Sequence, residues 1–110
     1  MDTADDEVFE LRETRDGPGV QLIPAGELDI AASEQLSERL AALKAAGTPV
    51  QLDLAEVVFM DSTGVACIAR AVRESRQDGW DLSIGHQLQA QVSRLMELVD
   101  GAKLFWPEGP

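Results

Sequence analysis

The segment Leu52 to Arg70, LDLAEVVFMDSTGVACIAR, sets an acid, two hydroxyls and a glycine at consecutive positions, Asp61-Ser62-Thr63-Gly64. Asp, Ser and Thr are the side chains that accept from the unpaired N–H groups of a helix's first turn, so the simplest chemistry here is capping. Gly64 adds a place where a second backbone can approach closely. A hydroxyl at a helix start is also a favourable place for a phosphate. Orphan N–H groups point at it, and the helix dipole favours negative charge by about 0.3–1 kcal/mol. Phosphorylation would add about −1.5 to −2 charges without unfolding the helix. A switch of that kind acts at the surface, on a partner, and not through the fold.

Other residues with chemical potential fare less well. His86 is the only histidine and has no Ser or Cys at a recognisable motif spacing, so a triad or metal site lacks its other members. Cys67 falls close to the apolar stripe of a helix, which reads as a buried, inert thiol. Arg70, Arg73 and Arg76 line one side of the same helix and read as a solvated face paired with Glu74. The phosphate-loop pattern G-x-x-x-x-G-K-[ST] does not occur.

The hydrophobic period shows which elements carry these residues. Phe9 and Leu11 alternate with Glu10 and Arg12 as a first strand, and Asp16-Gly17-Pro18-Gly19 is a turn cluster. Val20 to Leu28 is a second, antiparallel strand. Its Pro24 has no N–H and must sit at a bulge or on an unpaired side of the ladder. Leu36, Leu40 and Leu43 recur at i, i+4, i+7 as an amphipathic helix stopped by Gly47 and Pro49.

Val50, Leu52 and Leu54 give a third strand, Val57-Val58-Phe59-Met60 an apolar loop, and Val65, Ile68, Ala69 and Val72 a second helix ending near Gly79. Trp80, Leu82 and Ile84 form a fourth strand. Leu88, Val92, Leu95, Met96 and Val99 are the apolar stripe of a third helix closed by Gly101, and Lys103 to Trp106 a short last strand or turn. The order is β-β-α-β-α-β-α. An opening hairpin followed by βα units predicts an α/β fold with a mixed sheet of four to five strands. Strict alternation in the strands predicts helices mainly on one face.

Composition bounds the function. The chain has 110 residues, 45% of them hydrophobic, enough for one domain with one core. No run approaches the length of a membrane span, and the acidic start MDTADDEVF lacks the pattern of an export signal. A single cysteine agrees with a reducing compartment, so the cytoplasm is the expected location. Twenty acidic against nine basic residues give a net charge of −11, which disfavours nucleic acid and membrane insertion as partners but suits a protein with a basic patch.

With these residues in place, the sequence resembles a known family. Asp61-Ser62-Thr63-Gly64 is similar to the D-S-[ST]-G signature of STAS domains in anti-sigma factor antagonists, and Gly26-Glu27-Leu28-Asp29 to their G-E-[LI]-D motif. Val92-x-x-Leu95-Met96-x-Leu98 before Gly101 resembles their last helix and closing glycine. The resemblance covers about residues 8–105, and implies a STAS domain over 8–106 between a flexible acidic start, 1–7, and a flexible tail, 107–110. It implies no cofactor, no metal and no catalytic activity.

The partner it implies is an anti-sigma factor that is also an ATP-dependent serine kinase. Binding of the antagonist releases the sigma factor, phosphorylation of the first hydroxyl ends the binding, and a phosphoserine phosphatase resets it. That hydroxyl falls on Ser62, and Asp29, Asp61, Ser62, Thr63 and Gly64 are the implied partner contacts. Thr63 stands where a second serine is commoner. A competing reading is a STAS-like accessory subunit of a lipid-trafficking ABC transporter, which usually does not keep a clean D-S-[ST]-G.

Overall fold

The computed structural model describes residues 9–109; the expected flexible start, 1–7, lies outside the described residues. β1 (Phe9–Asp16) and β2 (Gly19–Leu28) form the opening hairpin, antiparallel, with Asp16 opposite Gly19 across the turn. α1 (Ile30–Ala45) follows, then two short strands, β3 (Val50–Leu52) and β4 (Val57–Met60). α2 (Ser62–Asp78), β5 (Leu82–Ile84), α3 (Ala90–Leu98) and α4 (Ala102–Phe105) complete the chain. The five-stranded mixed sheet runs β1-β2-β3-β5, with β4 also paired to β2.

The long strand β2 organises the molecule. β3 pairs in parallel with its first half, at Val20 to Leu22, and β4 with its last residues, at Gly26 to Leu28. Pro24 lies in the gap between these two partners. The N–H groups of Val20 and Gly26, of the same parity as Pro24, donate to the carbonyls of Pro49 and Glu56 on that side. The absent N–H of Pro24 therefore faces the one stretch of β2 that has no neighbour there, and its ring is fully buried. The sheet thus tolerates a proline in a central strand.

One face of the sheet carries the core. Val20, Leu22, Leu28, Val50, Leu52, Val57, Met60 and Ile84 are buried beneath the helices, while Gln51 and Ser83 on the other face are exposed. That is the one-sided covering expected from alternation. Leu36, Leu40 and Leu43 of α1 and Val65, Ile68 and Val72 of α2 are buried as expected, with Ala69 half-buried. Cys67 is buried too, its thiol 3.5 Å from the Ser33 carbonyl and its pKa pushed up by burial, which fits an inert side chain.

Several local expectations are corrected. Val57–Met60 is a strand and not a loop; its alternation is broken because Val58 bulges out where the register steps from Gly26↔Val57 to Glu27↔Phe59. Of the strand or turn expected at Lys103 to Trp106, the chain forms the turn, the single helical turn α4.

Of the expected stripe of the third helix, Val92 and Met96 are buried and Leu95 is half-buried. Val99 is 43% exposed. α3 ends at Leu98 and Val99 is its C-cap, where the stripe runs out at the end of the helix; Asp100 then takes a positive φ of 52° and turns the chain away. Arg76 pairs with Glu108 at 2.6 Å, in the segment expected to be a loose tail, while Glu74 faces Lys44.

Candidate functional site

The site is built from two strand-to-helix junctions that lie side by side. Leu28 of β2 and Met60 of β4 are directly paired in the parallel ladder. Each strand is followed by one aspartate in extended conformation, Asp29 or Asp61, and each aspartate is the N-cap of the next helix. The GELD and DSTG segments thus meet at one end of the sheet because their strands are neighbours in register. Of the five predicted site residues, Asp29 and Asp61 are half-buried, Ser62 and Thr63 exposed, and Gly64 buried.

Gly64 explains why the two segments approach so closely. A Cβ at this position would lie 2.7 Å from Met60 Cγ, 3.0 Å from the Leu28 carbonyl oxygen and 3.2 Å from Leu28 Cδ2. Its role is packing, since the first turn of α2 rests on the end of β2 only where there is no side chain.

The two caps differ in strength. Asp29 Oδ1 accepts from the Ala32 N–H at 3.0 Å. Asp61 Oδ1 accepts from the N–H groups of Thr63 at 3.0 Å and Gly64 at 3.2 Å, and also from the Thr63 hydroxyl. The Thr63 hydroxyl, with the backbone N–H groups of Gly64 and Thr63, holds the Asp61 carboxyl below its usual range, against a smaller opposing effect of burial.

This changes the expected chemistry of a phosphate on Ser62. The helix N–H groups of Thr63 and Gly64 are already taken by the Asp61 carboxylate, and the Val65 N–H donates to the Asp61 carbonyl. A phosphate could claim them only by displacing a carboxylate. Ser62 itself is the first helical residue, exposed, and its hydroxyl makes no hydrogen bond among the described residues. Of the two hydroxyls, Thr63 is engaged and Ser62 is free.

A scan against family models matches residues 9–105 to a model described as Mlab, STAS domain. The chain belongs to the STAS domain family. Among relatives, this STAS domain is 28% identical over 79 residues to the anti-sigma-B factor antagonist of Bacillus subtilis (strain 168), covering 72% of each chain. Among solved structures, an anti-sigma factor antagonist from Mycobacterium paratuberculosis superposes with a TM-score of 0.73 at 18% identity, over 90% of this chain and 84% of that one.

The antagonist SpoIIAA in its unphosphorylated form gives a TM-score of 0.66 at 22% identity, over 87% of this chain and 84% of that one. The Bacillus cell fate determinant SpoIIAA in its phosphorylated form gives 0.63 at 20% identity, over 83% and 82%. At these identities the structural likeness shows a shared fold.

Sequence reasoning did not single out the apolar residues beside the caps. Ile30, the first residue of α1, is 61% exposed, and Phe59, two residues before Asp61, is 46% exposed, with Val58 also outward. Ile30 is off the phase of Leu36, Leu40 and Leu43, and that phase was the available signal.

Among the described residues no group of three or more His, Cys, Asp or Glu side chains is placed to hold a metal ion. None of their helices is long and apolar enough to cross a membrane. His86 is exposed and stacks on Trp106 with ring centroids 4.7 Å apart.

Proposed function

We propose that this STAS domain is an anti-sigma factor antagonist, a cytoplasmic binding module and not an enzyme. It binds an anti-sigma factor that is itself an ATP-dependent serine kinase and so frees a sigma factor. The kinase moves the γ-phosphoryl group of ATP to Ser62 Oγ, releasing ADP and the hydroxyl proton. The modified protein lets go, and a phosphoserine phosphatase restores it. Asp29, Asp61, Ser62 and Thr63 lie at the contact surface, and Gly64 holds the two junctions together beneath it.

The observation that carries this reading is the exposed Ser62 hydroxyl at the first position of α2, free of the hydrogen bonds that occupy Thr63. The relatives support it, since several of the similar proteins are named as anti-sigma factor antagonists and one is known in a phosphorylated form. Asp61 already occupies the Thr63 and Gly64 N–H groups, and Ser62 is exposed, so the new charge on Ser62 projects outward. Across an interface an unmatched charge costs several kcal/mol, and about 3 kcal/mol is roughly a hundredfold in affinity. The competing reading, an accessory subunit of a lipid-trafficking transporter, is disfavoured by the clean Asp61-Ser62-Thr63-Gly64 motif.

The test is incubation with a candidate serine-kinase anti-sigma factor and ATP, followed by intact mass and site mapping. One phosphate on Ser62, and a phosphorylated form that binds the kinase at least tenfold more weakly than the unmodified form, is the expected result. Equal affinities of the two forms would remove the switch, and modification confined to Thr63 would move it by one residue.

A further inference from the structure

The paired junctions give Ser62 a structural counterpart. Leu28 and Met60 are in register, Asp29 and Asp61 follow them as caps, and the next residue on each side is the first of its helix: Ile30 on α1, Ser62 on α2. The first turns of the two helices stay together, as the Cys67 thiol lies 3.5 Å from the Ser33 carbonyl and Gly64 rests on Leu28. Ile30 and Ser62 are therefore exposed residues at matching positions of two neighbouring junctions. Phe59 lies two residues before the Asp61 cap, 46% exposed.

Acidic residues flank Ile30 and Phe59 in sequence and register. Asp29 and Asp61 are the caps themselves, exposed Glu27 is paired with Phe59 across the ladder, and exposed Glu34 is one helical turn from Ile30. We infer that Ile30 is the apolar anchor of the interface, inserted into a basic-rimmed apolar pocket on the anti-sigma factor, and that a phosphate on Ser62 acts by denying its burial. The inference rests on the reading of Ser62 as the switch, and it adds how the charge is read. Burying Ile30 requires the adjacent position 62 to lose its water. A hydroxyl gives up that water readily and a phosphate dianion does not.

Binding of the full chain to the anti-sigma factor is measured by titration calorimetry for the wild type, Ile30→Ser, Ser62→Asp and the double variant. Ile30→Ser should weaken binding about tenfold or more, the affinity equivalent of an isoleucine left unburied. The fold should survive, because the side chain is exposed. Leu104→Ser is the control. Leu104 is an exposed apolar residue on α4, whose Phe105 lines a shallow pocket together with Val72, Ser75 and Arg76 from the far end of α2.

Ser62→Asp should weaken binding by a smaller factor in the Ile30→Ser background than in the wild type, because the burial it opposes is already gone. Wild-type affinity for Ile30→Ser, an equal loss with Leu104→Ser, or independent factors in the double variant would each overturn the inference while leaving the switch intact. A wild-type chain that binds no anti-sigma factor would overturn both.

Discussion

The junctions at Asp29 and Asp61 are built alike and used differently. Both are a buried strand residue, an extended aspartate and the first turn of a helix, and they are paired through Leu28 and Met60. At the first junction the cap makes one side-chain bond, the first helical residue is isoleucine and the third is a buried alanine. At the second, the cap collects three bonds on one oxygen, the first residue is serine and the third is glycine. The second junction has been drawn inward by Gly64 and closed by Thr63, which leaves Ser62 as the group it offers outward. One geometry supplies the scaffold, and the residues at the first and third helical positions decide which side chain each junction presents outward.

The comparison breaks most severely where the two junctions share a residue. Leu28 is fully buried, and its carbonyl oxygen and side chain both touch the space above Gly64. Leu28→Ala should lower the unfolding free energy by about 2–5 kcal/mol. Chemical denaturation would measure it, and a loss below about 1 kcal/mol would show that the junctions do not rest on one another. Gly64→Ala comes next. The added Cβ meets Met60, whose flexible side chain can shift, and the Leu28 carbonyl, which cannot shift so cheaply. Overpacking should cost about 1–3 kcal/mol, although alanine is the better helix former. A gain in stability would mean that close approach is not what requires glycine here.

The caps allow a direct contrast. Asp61→Ala and Asp29→Ala should each cost about 0.5–2 kcal/mol. Asp61→Ala should be the larger, because it frees two backbone N–H groups against one. Ser62→Ala should change stability by no more than about 0.5 kcal/mol, since the side chain is exposed and Asp61 is the cap. Thermal melts of the three variants would reverse the assignment if Ser62→Ala proved the most costly.

Much of this was legible in the sequence. Leu36, Leu40 and Leu43 announced α1 by their period, and Pro24 announced a gap in the ladder that the register of β3 and β4 supplies. The two motifs fall on the two neighbouring strand-to-helix junctions. What stayed hidden depends on neighbours distant in the chain. The bulge at Val58 hid β4 because it destroys alternation, and the end of α3 at Leu98 left Val99 as an exposed cap.

The partner of the helix N–H groups was ambiguous for the same reason. Asp61 and Ser62 are both good caps, and only the extended backbone at Asp61 decides between them. Ile30 was overlooked because an isoleucine read by composition belongs inside. Its exposure follows from the start of α1 at residue 30, a position that the period of the buried stripe does not fix.

The smallest effect isolates Thr63, which separates the two caps most directly. Its hydroxyl is the leading reason that the Asp61 carboxyl is held below its ordinary value. A carboxyl whose folded pKa lies below its unfolded one stabilises the fold in full above the unfolded value, near 4. That stability is lost as pH falls through the folded value. Thr63→Val keeps the shape and the backbone bonds but removes the hydroxyl, so the carboxyl of Asp61 should titrate at higher pH, and the cap's contribution should fade earlier on acidification. Thr63→Ser retains the donor and should behave as the wild type. The exposed setting keeps the change in stability small, a few tenths of a kcal/mol, so the decisive measurement is the carboxyl titration of Asp61 followed by NMR. An unchanged titration in Thr63→Val would show that the backbone N–H groups alone hold the charge. The two caps would then differ only in their count of backbone donors.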